Sequence, residues 1–477
     1  MKTGKNPRKY TGKFWIIFWL TAALALFGWY VFLQVKNRNI ENLKPLTNIL
    51  PVNSERKNEL QVLADIYDKM GGFQQEQTFL VLFQNDMELR PGGGFIGSFG
   101  IVKTKNGKIA DLEVHDTGNF DQSIPNTENP PAPIAEAFPF KGWKMRDSNW
   151  SPDFRVNAEK AEYFYKLGGG SAFAEASADD KSLADKSADK KNFDGVIAVN
   201  TDILNSILDI TGPVKINGYP GQYNDQTAVL QLEYQVEKGF IQQGITKGER
   251  KNILGELAAV LIGKSRNFSI SEQLELAQKI EEHLKRKDIQ FFFKDEALQK
   301  EIDALNWGGR VKDSEGDYLM IVDANLNSLK SDICIRRKLD YAVDLRGENP
   351  QAVLNITYEH TCRAKDWMTA DYHDWLRVYV PEDSFLLESS GQEGSVTLSN
   401  ELDKKVFGMK VFVPIGEKKT ITLKYSLPKE ITGENYHLLL QKQSGSGDLP
   451  VKIDVRKKDG SEVSAQETLT GDREFSL

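Results

Sequence analysis

In the stretch NDMELRPGGGFIGSFG, Asp86, Glu88 and Arg90 stand directly ahead of three consecutive glycines, Gly92, Gly93 and Gly94. Carboxylates can hold Mg²⁺, a guanidinium can grip a phosphate through two parallel hydrogen bonds, and the bare amides of a glycine turn can form an anion-binding nest. His115 and Asp116 follow, and Arg146, Asp147, Asp153 and Arg155 bracket Trp150. Together they outline one candidate chemistry. Arg90, Gly92, Gly93, Gly94 and Arg146 would receive a phosphorylated group, while Asp86, Asp116 or Asp147 would supply metal binding or acid–base catalysis. Mg²⁺ is the one cofactor these residue types suggest. Against it stands the plain alternative that each charge is solvated or paired and that the glycines serve the backbone.

Gly92, Gly94 and Gly97 form a literal G-x-G-x-x-G. A dinucleotide site requires those glycines to open a helix whose N-terminus faces the pyrophosphate. Here the residues after them alternate toward KTKNGKI, where Asn106-Gly107 signals a two-residue hairpin turn. Pairing Lys105 with Lys108 sets Ile101 opposite Leu112 and Phe99 opposite Val114, apolar on one face. The glycines therefore open a strand. They either bend the chain or admit another backbone closely, or they form an anion nest; both readings stay open.

Other chemistries lack their signatures. There is no G-x-x-x-x-G-K-[ST], no G-x-S-x-G and no H-E-x-x-H, and the 5 histidines are scattered along the chain. A net charge of -7 from 61 basic and 68 acidic residues leaves no footprint for nucleic acid.

The elements that must position these residues read as two domains. TFLVLFQN, residues 78–85, is a continuous apolar run of strand length, covered on both faces. Ser151, Pro152 and Asp153 read as the cap, first position and first-turn acid of a helix. FDGVIAVN, TDILNSILDI and VKI read as a β-α-β unit, and Ser269 to Glu272 as a capping box. Alternating strands and helices predict an α/β domain over residues 78–315, behind a stalk and helix at 36–77. Within it, 168–192 is a Ser-Ala-Asp-Lys-rich insert, expected to be a mobile solvent loop. From 316 to 477 short alternating strands separated by turns, such as WLRVYVP, predict an antiparallel β-sandwich.

Residues 1–13 are basic without an acid, and Phe14 to Val35 carry no charge. That pattern predicts a cytoplasmic tail and an uncleaved transmembrane signal anchor, with the rest of the chain extracytoplasmic. A cleaved signal peptide is the competing reading, disfavoured by the length of the apolar run. In an oxidising exterior the 2 cysteines, Cys334 and Cys362, become candidates for a disulfide. Inward residues are odd on one flanking strand (Leu339, Tyr341) and even on the other (Leu354, Ile356), so a regular register cannot set the cysteines directly opposite. A bulge near His360 would bring them together.

At NDMELRPGGGFIGSFG, RDSNWSPDF, FDGVIAVNTDILNSILDITGPVKI and YHLLLQKQSGSGD, the chain resembles an uncharacterised bacterial family of single-pass membrane proteins, domain of unknown function 4012. More distantly, it is similar in plan to LytR-CpsA-Psr enzymes, which transfer glycopolymers from lipid pyrophosphate carriers to the cell wall. That likeness implies roles for Asp86 at the end of FLVLFQND, for Asp116 at the end of DLEVHD, and for Arg250 in GERKNIL as an anion-binding arginine. His115 stands where the enzymes have an arginine, Pro213 replaces a glycine, and the glycine loop has no counterpart. The expectation is a membrane-anchored envelope protein that binds or transfers a phosphorylated, lipid-linked glycopolymer intermediate. The alternative is a non-catalytic scaffold or adhesion protein that recognises a partner or glycan through its β-sandwich.

Overall fold

The computed structural model describes residues 53–139, 141–169, 192–246, 250–265, 267–431 and 436–477. The expected basic tail at 1–13, the span at 14–35 and nearly all of the 168–192 insert lie outside the described residues. Among the described residues no helix is long and apolar enough to cross a membrane.

The first domain is a mixed five-stranded sheet with helices on both faces. It uses β1 (Gln77–Arg90), β2 (Gly93–Lys105), β3 (Lys108–Asp116), β4 (Gly195–Asn200) and β5 (Ile289–Phe293) in the order β3-β2-β1-β4-β5. The apolar run of β1 is buried on both sides. Phe79, Val81 and Phe83 join one core, and Leu80 and Leu82 join the other. Each such side chain contributes roughly 1.5–3 kcal/mol on burial.

Helices α1 (Ser54–Gly71), α3 (Asp202–Thr211), α4 (Ala228–Tyr234), α5 (Asn252–Ser265), α6 (Ile270–Arg286) and α7 (Glu296–Ala304) cover the first face. Helix α2 (Phe154–Leu167) covers the second. Local signals set several ends. Asn53 caps α1 by accepting from the Arg56 amide, Gly72 closes it at φ 62, and Ser269 with Glu272 forms the capping box of α6.

Three local expectations are corrected. The hairpin does turn at Asn106-Gly107, and Lys105 pairs with Lys108, but a register shift beyond Thr104 sets Ile101 opposite Glu113 and Phe99 opposite His115. A bulge inserts one residue and moves every later partner by one. The cap of α2 is Asp153 itself, whose side chain accepts from the Arg155 amide. VKI forms no strand of the sheet; Val214 makes only an isolated bridge with Tyr223, so no β-α-β unit closes there. The parallel partner of β4 is β1 instead.

The second domain holds two six-stranded sheets around one core, and the expected purely antiparallel pairing is corrected: His437–Gln441 runs parallel to Asp317–Val322, and Leu449–Arg456 to Ile335–Asp344. One contains β10 (Phe385–Ser390), β13 (Lys418–Ser426), β8 (Gln351–His360), β7 (Ile335–Asp344), β15 (Leu449–Arg456) and β16 (Glu462–Leu469). The other contains β11 (Glu393–Glu401), β12 (Lys404–Val413), β9 (Tyr372–Pro381), β6 (Asp317–Val322), β14 (His437–Gln441) and β17 (Arg473–Ser476). In β9, Leu376, Val378 and Val380 face the core between the sheets.

Cys334 and Cys362 form a disulfide with a Cα–Cα distance of 5.4 Å. The register pairs Leu339 with Ile356 and Ile335 with His360, so the cysteines are one residue out of register. They meet because both lie beyond the last paired rung, Cys334 in a 3-10 turn, where strand alternation no longer fixes the direction of a side chain.

Candidate functional site

The glycine stretch is a strand-to-strand turn. Arg90 pairs with Gly93 and Leu89 with Gly94 across Pro91-Gly92. A Cβ on Gly92 would lie 2.2 Å from Asn157 Nδ2, and one on Gly93, which sits at φ 137, would lie 2.0 Å from Gln84 Oε1. The Gly92 amide donates to the Asn149 carbonyl at 3.0 Å. The turn also meets the sandwich. Gly445, at φ 73, packs on the Gly93 carbonyl, and Gln443 Nε2 donates to the Arg90 carbonyl at 3.0 Å and the Asp323 carbonyl at 2.8 Å. Of the two sequence readings, this geometry is the close approach of another backbone.

Arg90 is only 2% exposed. Its guanidinium donates to Glu88 at 3.0 Å, to Asp147 at 3.2 Å and to the carbonyl of Asn325, in the sandwich domain, at 2.7 Å. Burial works to lower its pKa, and the carboxylates of Glu88 and Asp147 more than offset that, so the group stays charged. Nearby, the Leu89 amide donates to Asp332, and the Asn325 amide donates to the Leu89 carbonyl. Arg377 of β9 donates to the Trp150 carbonyl and lies over its ring at 5.0 Å. Leu89, Arg90, Gly93 and Trp150 thus form part of the joint between the domains.

The other nominated residues do not converge on one site: Asp147 and Arg146 lie on the Arg90 side, and Asp116 and Arg250 lie near each other elsewhere. Asp147 and Arg146 line a hollow of about 270 Å³ with Phe138 and Trp143, and Arg146 is paired with Asp121. Asp116 caps a short helix and pairs with Lys251. Burial would raise its pKa, but Lys251 holds the carboxyl below the usual range. Arg250 pairs with Glu237 at 3.1 Å. Asp86 alone of them lines a wider opening. Among the described residues, the one group of three ligand side chains close enough for a single ion is Cys334, His360 and Cys362, whose sulfurs are already bonded to each other. Asp86, Asp116 and Asp147 form no such group.

That opening is a cleft of about 650 Å³ between the domains. It lies at the carboxyl ends of β1 and β4, the parallel pair, beside the first turn of α3 and under the sandwich loop Gln443–Asp448. Ligand sites in α/β sheets gather at this position, where strands end and a helix N-terminus begins. Asp86 accepts from the Thr201 hydroxyl. Burial, and then repulsion from Asp202, push its pKa well above the usual carboxylate range. Asp202 is raised by desolvation and by Asp288. On the opposite wall, burial pushes the Lys442 amine down to about 8. Arg286 is tied to Asp448 at 2.8 Å. Paired charges, Arg286 with Asp448 and Arg337 with Asp323 and Asp332, and apolar flanks such as Val229, Ile333 and Leu440 make up much of the lining. Such a lining suits hydroxyl and amide groups better than a polyanion.

One constellation had no motif to announce it. Ser206 Oγ lies 2.8 Å from His283 Nε2, and His283 Nδ1 lies 2.8 Å from Asp288 Oδ2. This is the hydrogen-bond order of a nucleophile relay. Yet Ser206 sits inside α3, where amides bond to carbonyls one turn earlier and leave no paired donors for an oxyanion. The relay ties α3 to α6 and to the start of β5. Burial would raise the pKa of Asp288, and the hydrogen bond from His283 turns the shift downward. The only sequence signal was a histidine in the last turn of a helix with an aspartate five residues later.

The model of the family described as protein of unknown function (DUF4012) matches residues 74–179. No curated protein matches the chain. Among solved structures, a putative nutrient binding protein from Legionella pneumophila is 10% identical with a TM-score of 0.20, over 29% of this chain and 54% of that one. An M1 zinc metallopeptidase from Deinococcus radiodurans is 10% identical with a TM-score of 0.17, over 30% and 39%. The chain thus spans about half or less of each, and neither likeness bears on the fold described above.

Proposed function

We propose that this chain of the DUF4012 family is an extracytoplasmic envelope protein, anchored by residues 14–35, that holds an envelope component in its interdomain cleft without transferring it. The observation that carries this reading is the commitment of Arg90. The guanidinium that would have to receive a phosphate is bonded instead to Glu88, Asp147 and the Asn325 carbonyl, and the Gly92 amide to the Asn149 carbonyl. The disulfide supports an oxidising compartment. Because Arg286 and Arg337 of the cleft are already paired with carboxylates, a hydroxyl-rich ligand such as a cell-wall glycan is favoured over a pyrophosphate.

The test is ligand-dependent stabilisation of the full chain in detergent, with soluble cell-wall glycan fragments as probes. Binding raises the unfolding midpoint in proportion to ligand concentration. The expected result is a shift in the wild type that Asp86→Ala loses; no shift with any fragment overturns the reading. A transferase similar in plan to LytR-CpsA-Psr is the second reading. It is favoured by the location of Asp86 and Thr201 at the carboxyl ends of the parallel strands. Mg²⁺-dependent turnover of a polyprenyl-pyrophosphate glycopolymer would replace the first reading with this one.

A further inference from the structure

We infer that the extracytoplasmic part docks onto the bilayer through an apolar patch at the mouth of the cleft. The inference rests on the proposed anchor and adds a second, peripheral contact to it. Leu230, Tyr234, Ile241 and Leu329 are 39%, 41%, 66% and 45% exposed. The first three belong to one helical run, Ala228 to Gln242, interrupted by a π turn at Gln235–Gly239. Leu329 comes from the sandwich domain and bridges to Thr369, two residues from Trp367. The Trp367 ring packs edge-on against Tyr234 at 5.8 Å, closing the patch across both domains. Exposed aliphatic side chains beside a tyrosine and a tryptophan fit the interfacial layer of a bilayer.

Charge does not oppose this placement. Glu233 beneath the patch is paired with Lys330 at 3.4 Å, and Glu237 with Arg250 at 3.1 Å. Lys238, in the same helical run, is exposed, and exposed Lys365 and Asp366, of opposite charge, precede Trp367.

The position of the chain's entry selects a lipid surface as the occupant. Asn85 Nδ2 donates to Glu233 at 2.9 Å, which fixes α4 at the carboxyl end of β1. The first turns of α1 are at the same end, through Arg56 with Glu281 and Glu59 with Lys285 at 3.0 Å on the last turns of α6. Arg286, which follows, and Leu230 both line the cleft. The patch, the cleft mouth and Asn53 therefore share one end of the molecule. Residues 36–52, which join Asn53 to the expected span, can reach at most roughly 60 Å even if fully extended. That end is kept near the membrane, and docking turns the cleft mouth toward the lipid.

The experiment uses the full chain in phosphatidylcholine vesicles that carry a diazirine on the acyl chain, with adducts mapped by peptide mass spectrometry. Docking predicts adducts on peptides covering 228–242 and 367, besides those on 14–35. A triple variant, Leu230→Ser with Tyr234→Ser and Ile241→Ser, is expected to cut the first set by roughly tenfold while leaving the second unchanged. Trp367→Ser, with an unchanged unfolding midpoint, checks that the loss is local. Adducts on 14–35 alone overturn docking and leave the anchor standing. Adducts on 228–242 without 14–35 keep docking and remove the anchor. A dimer cross-linked through 228–242, in place of lipid adducts, assigns the patch to a second copy and overturns the inference.

Discussion

Gly445 of the sandwich lies so close to Gly93 of the α/β domain that a Cβ on Gly445 would stand 2.1 Å from the Gly93 carbonyl oxygen. Two loops more than three hundred residues apart are thus fitted backbone to backbone, and Gly445 also holds a φ of 73. Gly445→Ala meets a clash with backbone and a strained φ together, so a destabilisation of roughly 2–4 kcal/mol is expected. Chemical denaturation checks it. A midpoint within error of the wild type would show that the joint is looser than described.

Arg90 is the side-chain counterpart of that contact. Arg90→Lys keeps the charge but cannot supply the fork to Glu88, Asp147 and the Asn325 carbonyl. Arg90→Ala leaves buried carboxylates unpaired, a loss of about 3–5 kcal/mol. Lysine should recover only part of it. If the alanine variant unfolds with wild-type stability and loses ligand binding alone, Arg90 is a ligand residue after all.

Asp317 gives the fold a pH dependence. It is fully buried, and desolvation raises its pKa to about 6 although the Tyr341 and Tyr436 hydroxyls and the Tyr318 amide donate to it. The folded pKa exceeds the unfolded one, so the folded state holds the proton more tightly. The stability this provides is complete below the unfolded pKa of 3.8 and is lost as pH rises through about 6. Asp317→Asn should abolish that decline, on the order of 2–3 kcal/mol across the window. Urea midpoints measured from pH 4 to about 8 decide it. Parallel profiles for the two proteins would contradict the prediction.

The Ser206–His283–Asp288 relay is expected to stabilise and not to react. His283→Ala removes both hydrogen bonds and leaves Asp288 without its imidazole partner, at a cost of about 2–3 kcal/mol. A fluorophosphonate probe should leave Ser206 unlabelled. Labelling that disappears in Ser206→Ala would make this relay a catalytic centre.

Much of the fold was legible because its signals are short-ranged. Asn106-Gly107 adopts positive φ values of 52° and 70° as a two-residue hairpin turn requires, and Ser269 with Glu272 closes its box within one helical turn. The alternation of β9 and the odd-to-even parity of β7 against β8 were also readable, because a strand repeats every two residues. A bulge that shifts β3 by one residue, or a segment such as VKI that makes a single bridge, is decided by packing that no short window contains.

The sequence by itself determined which residue types stand beside the glycines, that the glycines open a strand and not a nucleotide-binding helix, and that the chain changes from α/β to β near Asp317. Only the tertiary structure decided what the glycines and charges do. The parallel pairing of β1 with β4 sends Asp86 to the cleft, while Asp147 is buried against Arg90 and Asp116 pairs with Lys251. Arg90 finds its last acceptor 235 residues along the chain, at Asn325. Whether a guanidinium waits for a ligand or ties two domains together depends on the acceptors around it in space, and sequence spacing carries no record of them.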